Sequence, residues 1–131
     1  MASLRTLHPA LIPYAQQFVR ALERAGIRVT VTSARRDPKK QAQLYEAYLA
    51  GRSKFPAAPP GHSPHELGIA FDVHLDPPAY EAAGTVWESL GLRWGGRFQD
   101  RIHFDFYPRG WSPPPRAVPA RERAAKSRLP W

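Results

Sequence analysis

The pattern of apolar and polar positions predicts alternating helices and strands in the first half of this chain. Apolar residues recur at helical spacing over residues 9–25, and a Gly follows the last of them. Residues 27–33 alternate and are rich in β-branched side chains, which predicts a strand. Asp37 is suited to cap a helix that starts with a Pro and covers residues 38–50.

The second half continues the pattern after a loop rich in Pro and Gly. An apolar alternation predicts a strand, a helical segment follows it, and a second alternating segment comes near the end of the motif-rich region. A short segment before that last strand fits either a strand or a turn. The predicted bounds are 52–64 for the loop, 68–75 and 101–107 for the strands, 78–90 for the helix and 92–96 for the short segment.

Two of these strands combine an apolar face with a face that carries ionisable groups. In the first, Asp72 and His74 lie on the side opposite the apolar residues, because successive side chains of a strand point to opposite faces. The second strand places His103 and Asp105 opposite its apolar residues in the same way. Each strand is therefore predicted to bury one face and to present a His and an Asp on the other.

These groups converge on one surface if the two strands are neighbours in a sheet, and His65 joins them from the preceding loop. Two His and one carboxylate form a three-ligand set that leaves a fourth position for water, as in catalytic zinc sites. The spacing leaves open which of His62, His65, His74 and His103 would bind. A His beside an Asp on an open sheet face is also typical of a solvated pair.

Composition narrows the function class. The chain has no Cys, which excludes disulfides and thiolate metal sites. Its net charge of +8 and pI near 10.4 indicate a polyanionic partner such as nucleic acid, a membrane surface or an anionic cell wall. Half of that net charge lies in residues 112–131, a Pro-rich segment that is predicted to be an extended basic tail after a domain at residues 1–111.

The N-terminal segment has no uninterrupted apolar run, so the chain is expected to be made in the cytoplasm without a signal peptide. The lack of Asn and Cys and the 15 Pro predict resistance to heat, although biased codon usage would give the same composition.

Four motifs in order resemble one family of enzymes. The segment Ser63–Asp72, "SPHELGIAFD", has the form Ser-x-His-x-x-Gly-x-Ala-x-Asp. It resembles the zinc peptidases of the D-alanyl-D-alanine carboxypeptidase and L-alanyl-D-glutamate endopeptidase family, which cut the stem peptides of bacterial peptidoglycan. "TSARRDPKKQAQLY", Thr32–Tyr45, is similar to the family's strand-turn-helix segment. "LGLRWGG" followed by "DRIHFD" is similar to its closing Asp/Glu-x-x-His motif, so the resemblance covers roughly residues 27–106.

This resemblance implies a site, residue by residue. His65, Asp72 and His103 would bind one Zn²⁺ per chain. Asp100 would be the general acid and base, with Glu66 as the next candidate for that role.

It also implies residues that contact the substrate. Arg36 would help to hold the substrate and its developing oxyanion, although Arg35 beside it competes for the same role. Ser63, Gln41 and Trp94 would line the substrate site. Each of these three also has a structural alternative: Ser63 capping a turn, and Gln41 bracing the Arg36 turn or exposed to solvent. For Trp94 the alternative, an aromatic residue in the core or in a turn, is the preferred interpretation.

The implied fold is α+β, a small antiparallel sheet with helices packed on one face, like hedgehog and DD-peptidase domains. The implied function is hydrolysis of peptidoglycan stem peptides by a monomer. Asp100 stands where dipeptidase-type members have Glu, which favours an L-alanyl-D-glutamate endopeptidase acting as a phage endolysin after membrane permeabilisation. The alternatives are a D-Ala-D-Ala carboxypeptidase or dipeptidase and, from another class, a basic nucleic-acid-binding module with a structural metal. No dedicated nucleic acid partner is expected, since no basic and aromatic platform is recognisable.

Overall fold

The structure, a computed structural model, describes residues 2–128 and consists of one sheet and four α-helices within that range. The helices are α1 (Ile12–Arg24), α2 (Pro38–Leu49), α3 (Tyr80–Ser89) and α4 (Ala120–Ser127), and the strands are β1 (Thr30–Ser33), β2 (Ala70–His74), β3 (Leu92–Trp94) and β4 (His103–Pro108). Short 3₁₀ helices cover Leu4–Thr6, Pro64–Leu67, Pro77–Ala79 and Gly95–Phe98.

The four strands form an antiparallel sheet in the order β1-β2-β4-β3. The two strands that carry ionisable groups, β2 and β4, are neighbours, which is the condition for these groups to converge. Their register places Asp72 opposite His103 and Phe71 opposite Phe104. The polar residues of both strands therefore share one face of the sheet, and the apolar residues share the other.

The core lies on the apolar face, where α1 and α3 pack against β2 and β4. Phe18 of α1 and Trp87 of α3 meet edge to face, with ring centroids 4.8 Å apart. Phe71 and Phe104 stack beneath them at 5.8 Å, and all four side chains are buried. Such contacts bury large apolar areas and favour offset or edge-to-face geometry. The predicted α+β class, with an antiparallel sheet and helices on one face, is confirmed.

The start of α2 follows the sequence prediction. The carboxylate of Asp37 accepts a hydrogen bond from the backbone N–H of Lys40 at 2.7 Å, and Pro38 occupies the first helical position. Asp at the cap and Pro at the first position are both favourable because the first N–H groups of a helix have no partner within it. This helix start fixes the turn that carries Arg36.

The C-terminal segment differs from its prediction. The sequence predicts an extended tail, but residues 120–127 form α4, which packs against α2. The prediction is therefore wrong for these residues. Ala125 is buried against Tyr48 and Leu49. Glu122 is 2% exposed and accepts hydrogen bonds from Arg116 Nη2 at 2.5 Å and from the hydroxyl of Tyr45 at 3.0 Å.

The physical reason is local helix propensity. The segment after Pro119 consists largely of Ala, Arg, Glu and Lys, which are strong helix formers, and four of the five Pro residues of the C-terminal segment lie before it. The predicted domain boundary between residues 111 and 112 stays a prediction, and Trp131 lies outside the described residues. Within the described range, none of the helices combines the length and the apolar character needed to cross a bilayer.

Candidate active site

Three side chains from different elements converge on the polar face of the sheet. His65 comes from the 3₁₀ helix before β2, Asp72 from β2 and His103 from β4, and all three are buried. Oδ1 of Asp72 lies 3.1 Å from Nε2 of His65 and 3.4 Å from Nδ1 of His103. One ligand atom of each residue lies within 4.8 Å of the other two, so this group could hold a metal ion.

Both imidazoles have a second partner on their outer side. His65 Nδ1 lies 2.8 Å from the carbonyl oxygen of Ala34, and His103 Nε2 lies 2.7 Å from Oδ2 of Asp105. These partners are acceptors, so each imidazole donates outward when neutral and keeps the lone pair of its inner nitrogen. The inner nitrogens and Asp72 Oδ1 are then three acceptors that face one another, which fits a cation at their centre.

The charges around the cluster also suit a cation. Burial would raise the pKa of Asp72, but His65 and His103 hold it well below its usual range. Burial would lower the pKa of His103, but its hydrogen bonds to Asp105 and Asp72 raise it to about 10. Burial lowers the pKa of His65 despite Asp72 beside it. The cluster therefore stabilises one positive charge, either a proton on His103 or a bound cation.

Asp100 is positioned by its own backbone three residues before His103. Its N–H donates to the carbonyl of Gly95 at 2.9 Å, and its carbonyl accepts from the N–H of His103 at 3.0 Å. Burial raises the pKa of the Asp100 carboxyl to about 7; His103 opposes this shift, and the negative charge of Asp72 adds to it. A half-buried carboxyl with a raised pKa in a cleft is typical of a general acid or base.

Gly95 is a residue that sequence reasoning missed. A Cβ at this position would lie 2.1 Å from the carbonyl oxygen of Asp100 and 2.8 Å from Cβ of His103. Only Gly lets the loop approach so closely, so this position sets the distance between Asp100 and His103. The signal for it in the sequence is the Gly pair of "LRWGG".

Arg36 rather than Arg35 reaches the cluster. Its Nη2 donates to Oδ2 of Asp72 at 3.1 Å and to the hydroxyl of Ser33 at 2.6 Å. Its Nη1 donates to Oε1 of Gln41 at 2.9 Å, and Gln41 is 1% exposed. Arg35 is exposed. The structure thus places Gln41 as the brace of Arg36, one of the two roles that the sequence left open.

Ser63 and Glu66 close the 3₁₀ helix that carries His65. The hydroxyl of Ser63 accepts from the N–H of His65 at 3.2 Å, and Glu66 accepts from the N–H groups of Ser63 and Gly61. This reciprocal pair is a capping box. The carboxylate of Glu66, the alternative base, is therefore bound to backbone groups, and Ser63 holds the turn in place.

Trp94 lies in the core, between two glycines. A Cβ at Gly84 would lie 2.2 Å from its ring, and one at Gly96 would lie 2.3 Å from it. The indole N–H donates to the carbonyl of Arg101 at 2.9 Å, and the side chain is 2% exposed. Trp94 therefore anchors the loop that carries Asp100. It also borders a cavity of about 280 Å³ that this loop lines.

A second cavity, of about 260 Å³, opens beside Asp100. It is lined on one side by the C-terminal end of β2 and the loop before β4, and on the other side by the loop at Lys54 and Phe55. Arg101 lines it as well, and His74 stands exposed at its wall rather than in the metal cluster. His62 is also exposed and lies outside the cluster.

The chain matches the model of one protein family. This family is VanY, described as D-alanyl-D-alanine carboxypeptidase, and the match covers residues 4–105. The chain belongs to the VanY family. It is therefore a zinc-dependent peptidoglycan peptidase, which confirms the predicted enzyme class and cofactor. The nucleic-acid-binding alternative is not favoured. No curated protein matches the chain by sequence.

Several solved structures share this fold. A vancomycin resistance D,D-pentapeptidase VanY from a VanB-type resistance cassette, in complex with Zn(II), is 20% identical over 76% of this chain and 72% of its own, with a TM-score of 0.64. VanYB in complex with D-Alanine-D-Alanine is 18% identical over 94% of this chain and 78% of its own, with a TM-score of 0.65. The Serratia marcescens L-Ala D-Glu endopeptidase ChiX is 23% identical over 79% of this chain and 83% of its own, with a TM-score of 0.56. At these identities the likeness shows the fold.

Proposed function

We propose that His65, Asp72 and His103 hold the zinc ion of this VanY-family peptidase. The observation that supports this most is the arrangement of three acceptor atoms within 4.8 Å of one another, each fixed by a partner on its outer side. Zinc bound by such a set supplies a Lewis acid and an activated nucleophile for amide hydrolysis.

Asp100 is proposed as the group that moves the proton. Asp100 lines the cavity of about 260 Å³, and the pKa of its carboxyl, about 7, suits both acceptance and release of a proton near neutral pH. It would take the proton of the nucleophile and pass it to the leaving amine. Arg36 would hold Asp72 and add positive charge near the developing oxyanion.

The substrate is proposed to be the stem peptide of bacterial peptidoglycan, cut between L-Ala and D-Glu. A stem peptide is acidic, and the cavity beside Asp100 is lined by the cationic residues Lys54 and Arg101. The choice of bond is supported by the Asp at position 100, which favours the endopeptidase branch of the family. ChiX, one of the similar structures, is named as an enzyme of this specificity.

A second candidate is removal of the terminal D-Ala. It is favoured by the description of the family model and by VanYB, which was solved in complex with D-Alanine-D-Alanine.

We also propose that the protein acts on the cell wall after membrane permeabilisation, as a phage endolysin does.

Mass spectrometry of the products from a purified disaccharide pentapeptide distinguishes the two bonds. Cleavage after L-Ala leaves the sugar with a single amino acid and releases a tetrapeptide, whereas carboxypeptidase action releases only D-Ala. The Asp100→Ala variant is the control for contaminating activity. Release of D-Ala alone would contradict the endopeptidase proposal, and an intact muropeptide with zinc-loaded protein would contradict both.

A further inference from the structure

A buried ion pair lies directly behind His103, outside the proposed metal ligands. Asp105 is 0% exposed, and its Oδ2 accepts from His103 Nε2 at 2.7 Å. Arg93 of β3 binds the same carboxylate, with Nε 3.0 Å from Oδ2 and 3.2 Å from Oδ1. The backbone N–H of Tyr107 completes the set at 3.2 Å from Oδ1. Both oxygens of Asp105 are therefore held from the side opposite His103.

The guanidinium of Arg93 is itself enclosed. Its central carbon lies 4.5 Å from the ring centroid of Phe98, 4.9 Å from that of Trp111 and 5.3 Å from that of Tyr107. Trp111 and Tyr107 stack on each other at 3.8 Å, and the carbonyl of Trp111 accepts from Arg93 Nη1 at 3.4 Å. A planar guanidinium packed against rings has little freedom, and a Lys cannot reproduce its fork.

We infer that Arg93 is a positioning residue for the third metal ligand: held by its aromatic enclosure, it fixes Asp105, and Asp105 fixes the orientation of the His103 ring. This inference rests on the proposed function, since it requires His103 to be a ligand. The partner of a ligating His sets its ring orientation and tautomer, and changes to such partners typically weaken metal binding by about 10–100-fold. Here the partner is a buried charge that needs its own counterion.

The test is a zinc titration of metal-stripped, full-length protein in competition with a chelating dye. Arg93→Gln removes the charge and the fork, and we expect zinc affinity to fall by about 10–100-fold. Arg93→Lys keeps the charge and should lose less. Arg97→Gln is the matched control, because Arg97 lies close to Arg93 in the chain and pairs with Glu88 at the surface. The zinc affinity of this variant should equal that of the wild type.

A spectroscopic measurement separates positioning from general loosening of the fold. In the zinc-loaded wild type, NMR correlation of the imidazole nitrogens should show His103 with its proton on Nε2, and Arg93→Gln should broaden or lose that signal. Arg97→Gln should keep it. Thermal unfolding of each variant establishes that the titrated protein is folded.

If Arg93→Gln does not fold, the Asp105→Asn single variant and the Arg93→Gln/Asp105→Asn double variant replace it, because the double variant leaves no buried unpaired charge. Both should bind zinc equally weakly, since Arg93 acts through Asp105. Wild-type affinity in Arg93→Gln, or in both replacement variants, would overturn the inference alone. A wild-type protein that binds no zinc would overturn the proposed function together with it.

Discussion

The chain has two buried networks built from the same kinds of groups, and they do opposite things. At the C-terminal helix, the carboxylate of Glu122 is met by donors from Arg116 and Tyr45. At the active site, Asp72 is met by Arg36 on one oxygen, while its other oxygen faces two imidazole nitrogens. In the Glu122 network the acceptors receive hydrogen bonds, and such a network stabilises the fold. In the Asp72 network acceptor atoms face one another, and such an arrangement favours the binding of a cation.

The largest effect should come from removal of the metal or of a ligand. His103→Ala should lose its zinc and all measurable peptidase activity, because two ligands rarely retain zinc against a chelator. The fold should survive, since the apolar core lies on the other face of the sheet. Elemental analysis and muropeptide hydrolysis are the measurements, and His62→Ala is the matched control. Full zinc content in His103→Ala would contradict the role of His103 as a ligand, and with it the contrast between the two networks.

Asp100→Ala should reduce turnover by about 10²–10⁴-fold with zinc retained, which is the usual contribution of a positioned acid or base. The physical reason is that the variant lacks the carboxyl with a pKa of about 7 beside the cluster. Steady-state kinetics and zinc content on the same preparation test this. Near-normal turnover with bound zinc would transfer the role to another group.

Arg36→Ala should reduce turnover by about 10²–10³-fold, the range found when a donor to a developing oxyanion is removed. It should also weaken zinc binding, because Arg36 holds the outer oxygen of Asp72. Arg35→Ala, at an exposed neighbour, should change neither quantity. The reverse ranking of these two variants would show that the "SARR" turn had been aligned one residue out.

The sequence predicted the parts of this site that depend on periodicity and motif. Strand alternation put Asp72 and His103 on one face, and the motif singled out His65. It did not predict Arg93, because a pattern along one strand cannot show which side chain of a neighbouring strand lies behind Asp105. The role of Gly95 was not predicted for the same reason, because it depends on how closely the backbone at Asp100 approaches this residue.

The C-terminal helix was not predicted because the Pro residues that flank it and the charges of the segment indicated an extended, solvated tail. The helix-favouring composition after Pro119 was present in the sequence, but the contact that stabilises it is with α2, far away in the chain. Local propensity decides helix formation only together with such tertiary contacts.

Glu122→Gln should lower the free energy of unfolding by about 1–3 kcal/mol at neutral pH, because the donors Arg116 and Tyr45 lose the charged acceptor to which they are hydrogen-bonded. Burial favours a higher pKa for Glu122, but the hydrogen bonds from Arg116 and Tyr45 outweigh it and hold the pKa below 4.5. The stabilisation is therefore complete above pH 4.5 and is lost as the pH falls through the lowered pKa.

Urea unfolding of wild type and variant at several pH values measures this difference, which should shrink in acid. Glu46→Gln, at an exposed pair with Arg121, is the control and should change stability by less than about 0.5 kcal/mol. A pH-independent difference would show that Glu122 acts by packing alone. The heat resistance predicted from composition stays a prediction. The thermal unfolding midpoint of the wild-type protein tests it.

The smallest effect should come from the exposed charges of α4. Arg116 and Arg128 bind the buried residues Glu122 and Tyr48, whereas Arg121, Arg123 and Lys126 are exposed to solvent. Replacing these three by Gln should weaken lysis of permeabilised cells at low salt and leave hydrolysis of a soluble muropeptide unchanged, because exposed charges act within about 8 Å at physiological salt. A salt series on both substrates measures this. An equal loss of activity on cells and on the soluble muropeptide would show that these charges stabilise the fold and do not act through binding to the cell surface.

The pairing of Asp72 with His103 across β2 and β4 links metal binding to the correctness of the sheet. A slip of β4 by one residue would turn His103 towards the apolar face and bring Phe104 to the polar one. Only the native register then offers zinc the full set of proposed donors. Since a ligand that binds only the native state stabilises it by about 2.7 kcal/mol at a hundred times its dissociation constant, zinc selects the correctly paired sheet over its mispaired alternatives.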